Sequence, residues 1–286
     1  MRISALVEKG IVSIAVVLLS CSFSVQERLR TIPLNDLRDI TVLFRTLFFR
    51  NGFAYTCFGD KAISYHCFNL NEKADRLDHV SPIPLNIWKK YAHLFPMHDF
   101  VFLFSDNEEE HLSEVTLINK QAFKKIFDEY RQEFITLFDS QIDDEALLNF
   151  LIEKGSLWNT PLKNREDLIG ILLGFGKINA QLYQRKVEIL GNKKSVSRLQ
   201  KIRLSPSKEY QTLDEELSYL KAHLKIASDE NLLLHAISLP SFAADREQAE
   251  TQRLLKKYRE QRSDFSKKYA KGDLLEITLE QLCYGN

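Results

Sequence analysis

From residue 34 onward, apolar side chains recur every three or four positions over most of the chain, the spacing that lines one face of a helix. Leu37, Ile40, Leu43, Phe44, Leu47 and Phe48 trace the first such face, with Asn35 placed to cap it and Asn51-Gly52 to stop it near Phe49. Asn86 to Phe95 is a short helix with Ile87, Trp88, Tyr91 and Leu94 inward. Asn119 caps a run from Lys120 to Asp139, with Phe123, Ile126, Phe127, Tyr130, Phe134, Leu137 and Phe138 on one side. Asp143 to Lys154 follows and closes on Gly155. Arg165 to Glu188 is the longest periodic segment. Leu168, Ile169, Leu172, Leu173, Ile178, Leu182 and Tyr183 are its apolar positions, and Gly170, Gly174 and Ala180 are small enough to admit a second backbone. Leu213 to Ala227 and Asn231 to Ile237 read as helices. Ser241 heads a long polar helix, Ala243 to Lys271, in which Leu254, Leu255, Tyr258, Phe265 and Tyr269 form only a narrow stripe. Gly272 ends it, and Asp273 to Leu282 is a last short helix.

Two stretches break this period. Phe53 to Phe58 and Ala62 to Phe68 are rich in aromatic residues and flank Gly59-Asp60-Lys61, which predicts a β-hairpin over residues 53–69. Phe100 to Phe104 is continuously apolar, as in a strand buried on both faces, and Glu114 to Ile118 is its partner across the acidic turn Asp106 to Glu110. The fold class is therefore α+β and predominantly helical, with one or two small antiparallel hairpins packed on a helical body. No linker forces a second domain, so residues 34–286 read as a single globular unit.

The N-terminus follows a different pattern. Arg2 and the amino group start it positively, and Ile11 to Leu19 is an apolar run of nine residues. A bilayer span needs ~20 apolar residues, whereas a signal-peptide core needs only ~7–15. Leu18-Leu19-Ser20-Cys21 comes next. It resembles the lipobox of bacterial lipoproteins, with an aliphatic residue three places before Cys and a small residue just before it. The resemblance implies diacylglyceryl transfer to the Cys21 thiol, cleavage after Ser20 and acylation (palmitate among the acyl chains) of the new amino terminus. Residues 1–20 are then a signal peptide and 21–33 a lipid anchor and tether. Each buried methylene adds ~0.8 kcal/mol, so two or three acyl chains hold a domain on a membrane. Asp after the Cys retains such lipoproteins in the inner membrane. Ser22 stands there instead, so the expected address is the cell envelope, with the outer membrane favoured over the inner. Phe53 to Lys61, Asp167 to Ala180 and Leu239 to Asp245 also resemble segments of uncharacterised proteins of chlamydia-type intracellular bacteria, a group that implies no function.

Charge narrows the partners. The chain carries 39 basic and 39 acidic residues. Removing Arg2, Lys9 and Glu8 with the signal leaves 37 basic and 38 acidic, a balance that argues against a nucleic-acid partner. Cys57, Cys67 and Cys283 remain after processing. In either hairpin register Cys57 and Cys67 fall on opposite faces or on a diagonal, so buried thiols rather than a disulfide framework are expected.

Candidate chemistry is sparse. Gly174-Phe175-Gly176-Lys177-Ile178-Asn179-Ala180 has the look of a dinucleotide fingerprint but lacks the preceding strand and the acid ~20 residues on, so it reads as a packing helix notched by glycine. The seven histidines form no zinc-type cluster, and no cofactor or metal is expected. His98-Asp99, beside a buried strand, is the most suggestive pair for acid–base work. Asp106 to Glu110 lacks the glycine and spacing of a calcium loop. Gly191 to Lys208 holds six basic residues and no acid, and reads as an exposed loop. Two functional expectations follow. One is a non-catalytic binding or scaffolding lipoprotein, held to the membrane through acylated Cys21 and meeting a protein partner through the 243–271 helix. The other is an enzyme of a class without a sequence signature, its site near His98, Asp99 and the 53–69 hairpin.

Overall fold

The computed structural model describes residues 23–69, 83–107, 111–136, 142–158, 160, 162, 164–194, 205–227 and 237–285. A three-stranded antiparallel sheet lies between two helical layers. Its strands are β1 (Ile63–Asn69), β2 (Phe100–Asn107) and β3 (Leu112–Asn119), in the order β1-β3-β2. The central strand explains the layering. Val115 and Leu117 point into one core, Ile118 into the other, and all three are fully buried.

The first core gathers α1 (Val25–Arg30), α2 (Leu34–Phe44, continued as a π-helical turn Arg45–Arg50), α3 (Phe53–Cys57) and α4 (Ile83–Tyr91). Two later helices, α11 (Ala249–Tyr269) and α12 (Leu274–Tyr284), complete it. The second core is covered by α5 (Lys120–Glu129), α6 (Arg131–Ile135), α7 (Asp144–Lys154) and α8 (Glu166–Leu172). Beyond them α9 (Lys177–Lys194) packs on α10 (Leu213–His223) around Ile189, Leu217, Leu220 and Leu224. A second sheet pairs β4 (Leu224–Ala227) antiparallel with β5 (Phe242–Asp245).

The β2–β3 hairpin has the expected partners, with Phe100 opposite Asn119 and Asn107 opposite Leu112. β2 is the sheet's edge strand, so Phe100 and Leu103 are buried while Val101, Phe102 and Phe104 are only half-buried. The side chains of Asn119 and Asp143 cap α5 and α7, and Gly155 closes α7 at φ +67°. Asp273 caps α12.

Several expectations are corrected. There is no 53–69 hairpin. Phe53–Cys57 is one buried helical turn and a half, entered through Gly52 at φ +75°, and β1 pairs over seven positions with β3 instead. The helical turn sends Phe53 to one aromatic neighbour and sends Tyr55, and Phe58 just past its end, to others. Phe53 meets Phe48, Tyr55 sits edge-on between Tyr258 and Phe265, and Phe58 meets Tyr269. That packing overrides the β-propensity of the aromatic residues. Pro33, not Asn35, stands at the start of α2. The 120–139 run breaks at Tyr130 into α5 and α6, and 137–139 lie outside the described residues.

Arg165 to Glu188 is two helices, because Gly174 and Gly176 adopt φ +75° and +85° and turn the chain between α8 and α9. The small-residue reading holds at one point. A Cβ added to Gly170 would lie 2.7 Å from the Cβ of Ala180, so the two helices touch there. Residues 224–227 and 242–245 are strands rather than helix ends. Ser241 therefore caps nothing, and α11 begins at Ala249 behind Gln248. Most of the 231–237 helix lies outside the described residues. The segment expected as tether carries α1, whose Val25 is buried in the first core and whose Ser24 forms a capping box with Glu27.

Candidate functional site

The turn from α8 to α9 is where the most unusual local chemistry collects. Gly174 leaves room for Tyr258, whose hydroxyl donates to the Gly174 carbonyl at 2.6 Å, and for the stem of Lys61. Gly176 leaves room for Glu250, since a Cβ there would lie 2.6 Å from Oε2 of that carboxylate. Glu250 accepts the first amides of α9, from Lys177 at 3.0 Å and Ile178 at 2.9 Å. The nucleotide-like Gly-x-Gly run is thus an anion site at a helix N-terminus, already filled by the chain's own carboxylate. Lys177 reaches back to Glu133 through its ammonium.

Asn179, fully buried in the next turn, ties α9 to β5 and α11. Its carbonyl accepts from the Asp245 amide, and its amide donates to Thr251 Oγ1 and to the Phe175 carbonyl. These bonds fix Phe175 against Phe242, the rings stacked with centroids 5.0 Å apart.

Lys61 stands on the other side of Phe175. It is only 5 % exposed. Its Nζ donates to Ser64 Oγ at 3.1 Å and lies 5.9 Å from the Phe175 ring centroid. No described carboxylate is paired with it, because its neighbour Asp60 is engaged by Gln261 and Lys257. Burial pulls its ammonium from the ordinary lysine range down to about 7. Ser64 is fully buried and is no partner nucleophile. Its hydroxyl donates to the Gly52 carbonyl at 3.0 Å and meets Thr56 Oγ1 at 2.8 Å, which leaves Oγ to accept from Lys61.

Two hollows meet at this point. A pocket of about 260 Å³ is lined by Lys61, Asn51, Tyr65, Leu239, Pro240 and the exposed Arg50, among others, and none of its described lining residues is acidic. A cleft of about 480 Å³ lies between α8, α9 and the β4–β5 sheet, walled chiefly by Trp158, Ile169, Tyr183, Ile226 and Phe242. Leu173, Phe175 and Ser241 line both. The cleft's size falls in the range of small-molecule sites, ~300–1,000 Å³, and its walls are mostly apolar. A wider hollow of about 680 Å³ beside α12 is lined by Lys268, Lys271, Asp273, Glu276 and Glu280, nearly balanced in charge.

His98 and Asp99 do not reach this site. His98 is exposed, and its carbonyl accepts from Lys120. Asp99 accepts from Gln121 at 3.3 Å. Cys57 and Cys283 are buried and no disulfide joins the three cysteines; burial drives the Cys57 thiol well up and Cys283 to about 11, so neither is a nucleophile near neutral pH. No group of three or more metal-type ligands occurs among the described residues. Cys21 and residues 195–204 of the basic loop lie outside the described residues, while 191–194 continue α9. On α11 the exposed charges are of both signs, Arg253, Lys256 and Arg259 followed by Glu260, Asp264 and Lys267. Sequence reading assigned Lys61 to a hairpin turn. Its only local mark is a lysine ahead of the apolar Ala62-Ile63. A comparison with protein-family models, curated proteins and solved structures finds no match for this chain.

Proposed function

We propose that this chain is a lipid-anchored protein of the bacterial cell envelope that binds a ligand rather than transforming one. The anchor rests on the apolar run and Leu18-Leu19-Ser20-Cys21, and the favoured membrane is the outer one on the strength of Ser22. The folded body begins only a few residues after Cys21. Exposed Phe23 and Tyr284 sit together there, the Tyr284 hydroxyl donating to the Phe23 carbonyl at 3.3 Å. Aromatic side chains suit the interface between headgroups and water. No helix among the described residues is long and apolar enough to cross a membrane.

The observation that carries the binding role is the cleft between α8, α9 and β5, framed by the Asn179 knot, its described walls mostly apolar with Glu166 and Lys186 the charged residues among them. It replaces the outer face of α11 as the leading binding element, because that face carries exposed charges of both signs, which water solvates well, and, among the described residues, no apolar hollow. Nothing about His98 and Asp99 favours the enzyme reading. Intact mass and membrane fractionation beside Cys21→Ala test the anchor. A mature chain beginning at acylated Cys21, released from membranes by the substitution, is expected; an unprocessed chain contradicts the reading.

A further inference from the structure

Resting on the cleft as a binding site, we infer that its ligand is an amphipathic mono-anion, a carboxylate seated on Lys61 with its apolar chain running past Phe175 into the cleft toward Trp158 and Tyr183. The argument begins with the donors. An ammonium has three N–H groups, and Lys61 gives one to Ser64. Two of the other polar side chains of the 260 Å³ pocket are committed. The Tyr65 hydroxyl donates to Glu114 at 2.9 Å, and the Asn51 amide donates to the Thr46 carbonyl at 2.9 Å. Lys61 is thus the buried donor of that pocket, with two N–H groups beyond the one given to Ser64.

A buried cation without a carboxylate is costly, and an anionic ligand is the natural way to offset that cost. Among the described residues that line the pocket, none is an acid that would compete with such a ligand. A single buried point charge matches one carboxylate better than a phosphate dianion, which draws on several donors or a bidentate guanidinium. The apolar part follows from position. Phe175 carries Lys61 on one side and stacks on Phe242 on the other, so a chain leaving the headgroup meets aromatic walls at once.

The test uses the lipid-anchored protein in nanodiscs, with empty discs as reference. Octanoate, octanol and octyl phosphate are titrated calorimetrically into wild type and Lys61→Met. Octanoate should bind at least about tenfold tighter than octanol, the scale expected for one charge-assisted contact in a dry site. Lys61→Met should retain octanol and lose the preference. The wild-type ratio stands without the variant, should that fail to fold. Equal binding of octanoate and octanol overturns the inference and leaves the cleft reading intact. Tighter binding of octyl phosphate overturns the mono-anion assignment. Binding of none of the three removes the cleft as well.

Discussion

Lys61 and Arg185 are both cations drawn into the body of this protein, and the chain treats them in opposite ways. Arg185 on α9 forks onto the Glu216 carboxylate of α10 with two contacts of 2.8 Å, and Glu216 also takes the Ser207 amide at 3.0 Å. The Arg185 hydrogen bonds hold the Glu216 carboxyl at about 2. Every charge in that cluster has its partner. Lys61 has a hydroxyl and an aromatic ring, no described carboxylate paired with it, and the 260 Å³ pocket against it. A cation serving only to join two elements is neutralised where it stands. One with no described carboxylate, beside a pocket whose described lining holds no acid, is better explained by something that arrives from outside.

The contrast predicts opposite responses to mutation, and the largest effect belongs to the paired side. Arg185→Ala strands the buried Glu216 carboxylate and should cost about 3 kcal/mol in urea unfolding. Lys61→Met removes a poorly compensated charge, so its stability should equal or exceed wild type at pH 7. A loss as large as that of Arg185→Ala would erase the distinction.

The pH dependence sharpens it. Lys61 titrates at about 7 in the folded protein and at ~10.4 when unfolded, so the unfolded chain holds the extra proton between those values. Its contribution to stability should therefore rise with pH through that window, by up to ~1.4 kcal/mol per pH unit relative to Lys61→Met. Glu216 has the opposite reach. Its carboxyl is depressed, so its contribution is full above ~4.3 and is lost as pH falls toward about 2. Urea midpoints of wild type and the two variants across pH 2 to 10 separate these windows.

A smaller test concerns the glycine turn that frames Lys61. Gly176→Ala meets both the positive φ and the Glu250 carboxylate and should cost about 2 kcal/mol by thermal or urea unfolding. Glu250→Gln keeps the shape and removes the charge at the start of α9, a loss of about 0.5–1 kcal/mol. If the second variant costs more than the first, the carboxylate holds the turn more strongly than the glycine geometry does.

What was legible in the sequence was local. The cap at Asn119, the helix starts at Asp143 and Asp273, the stop at Gly155 and the β2–β3 hairpin are each decided by residues a few positions apart. What was hidden is assembled from a distance. β1 finds its partner some fifty residues on, across the packing of α3, and β5 pairs with β4 although residues 228–241 separate them in the chain. Alternation could not reveal α3, because all of Phe53–Cys57 is buried and no face is left polar. Lys61 was least visible. Its surroundings come from Gly52, Ser64, Gly174, Phe175, Pro240 and Tyr258, and no window of sequence holds them together.

Carbon- and nitrogen-detected NMR of the Lys61 side chain, assigned by its disappearance in Lys61→Met, addresses the central point most directly. The account predicts a titration midpoint near 7 in the unliganded protein, moving upward when octanoate is added because the carboxylate draws the amine back to ammonium. A midpoint in the ordinary lysine range, or one that octanoate leaves in place, would contradict it.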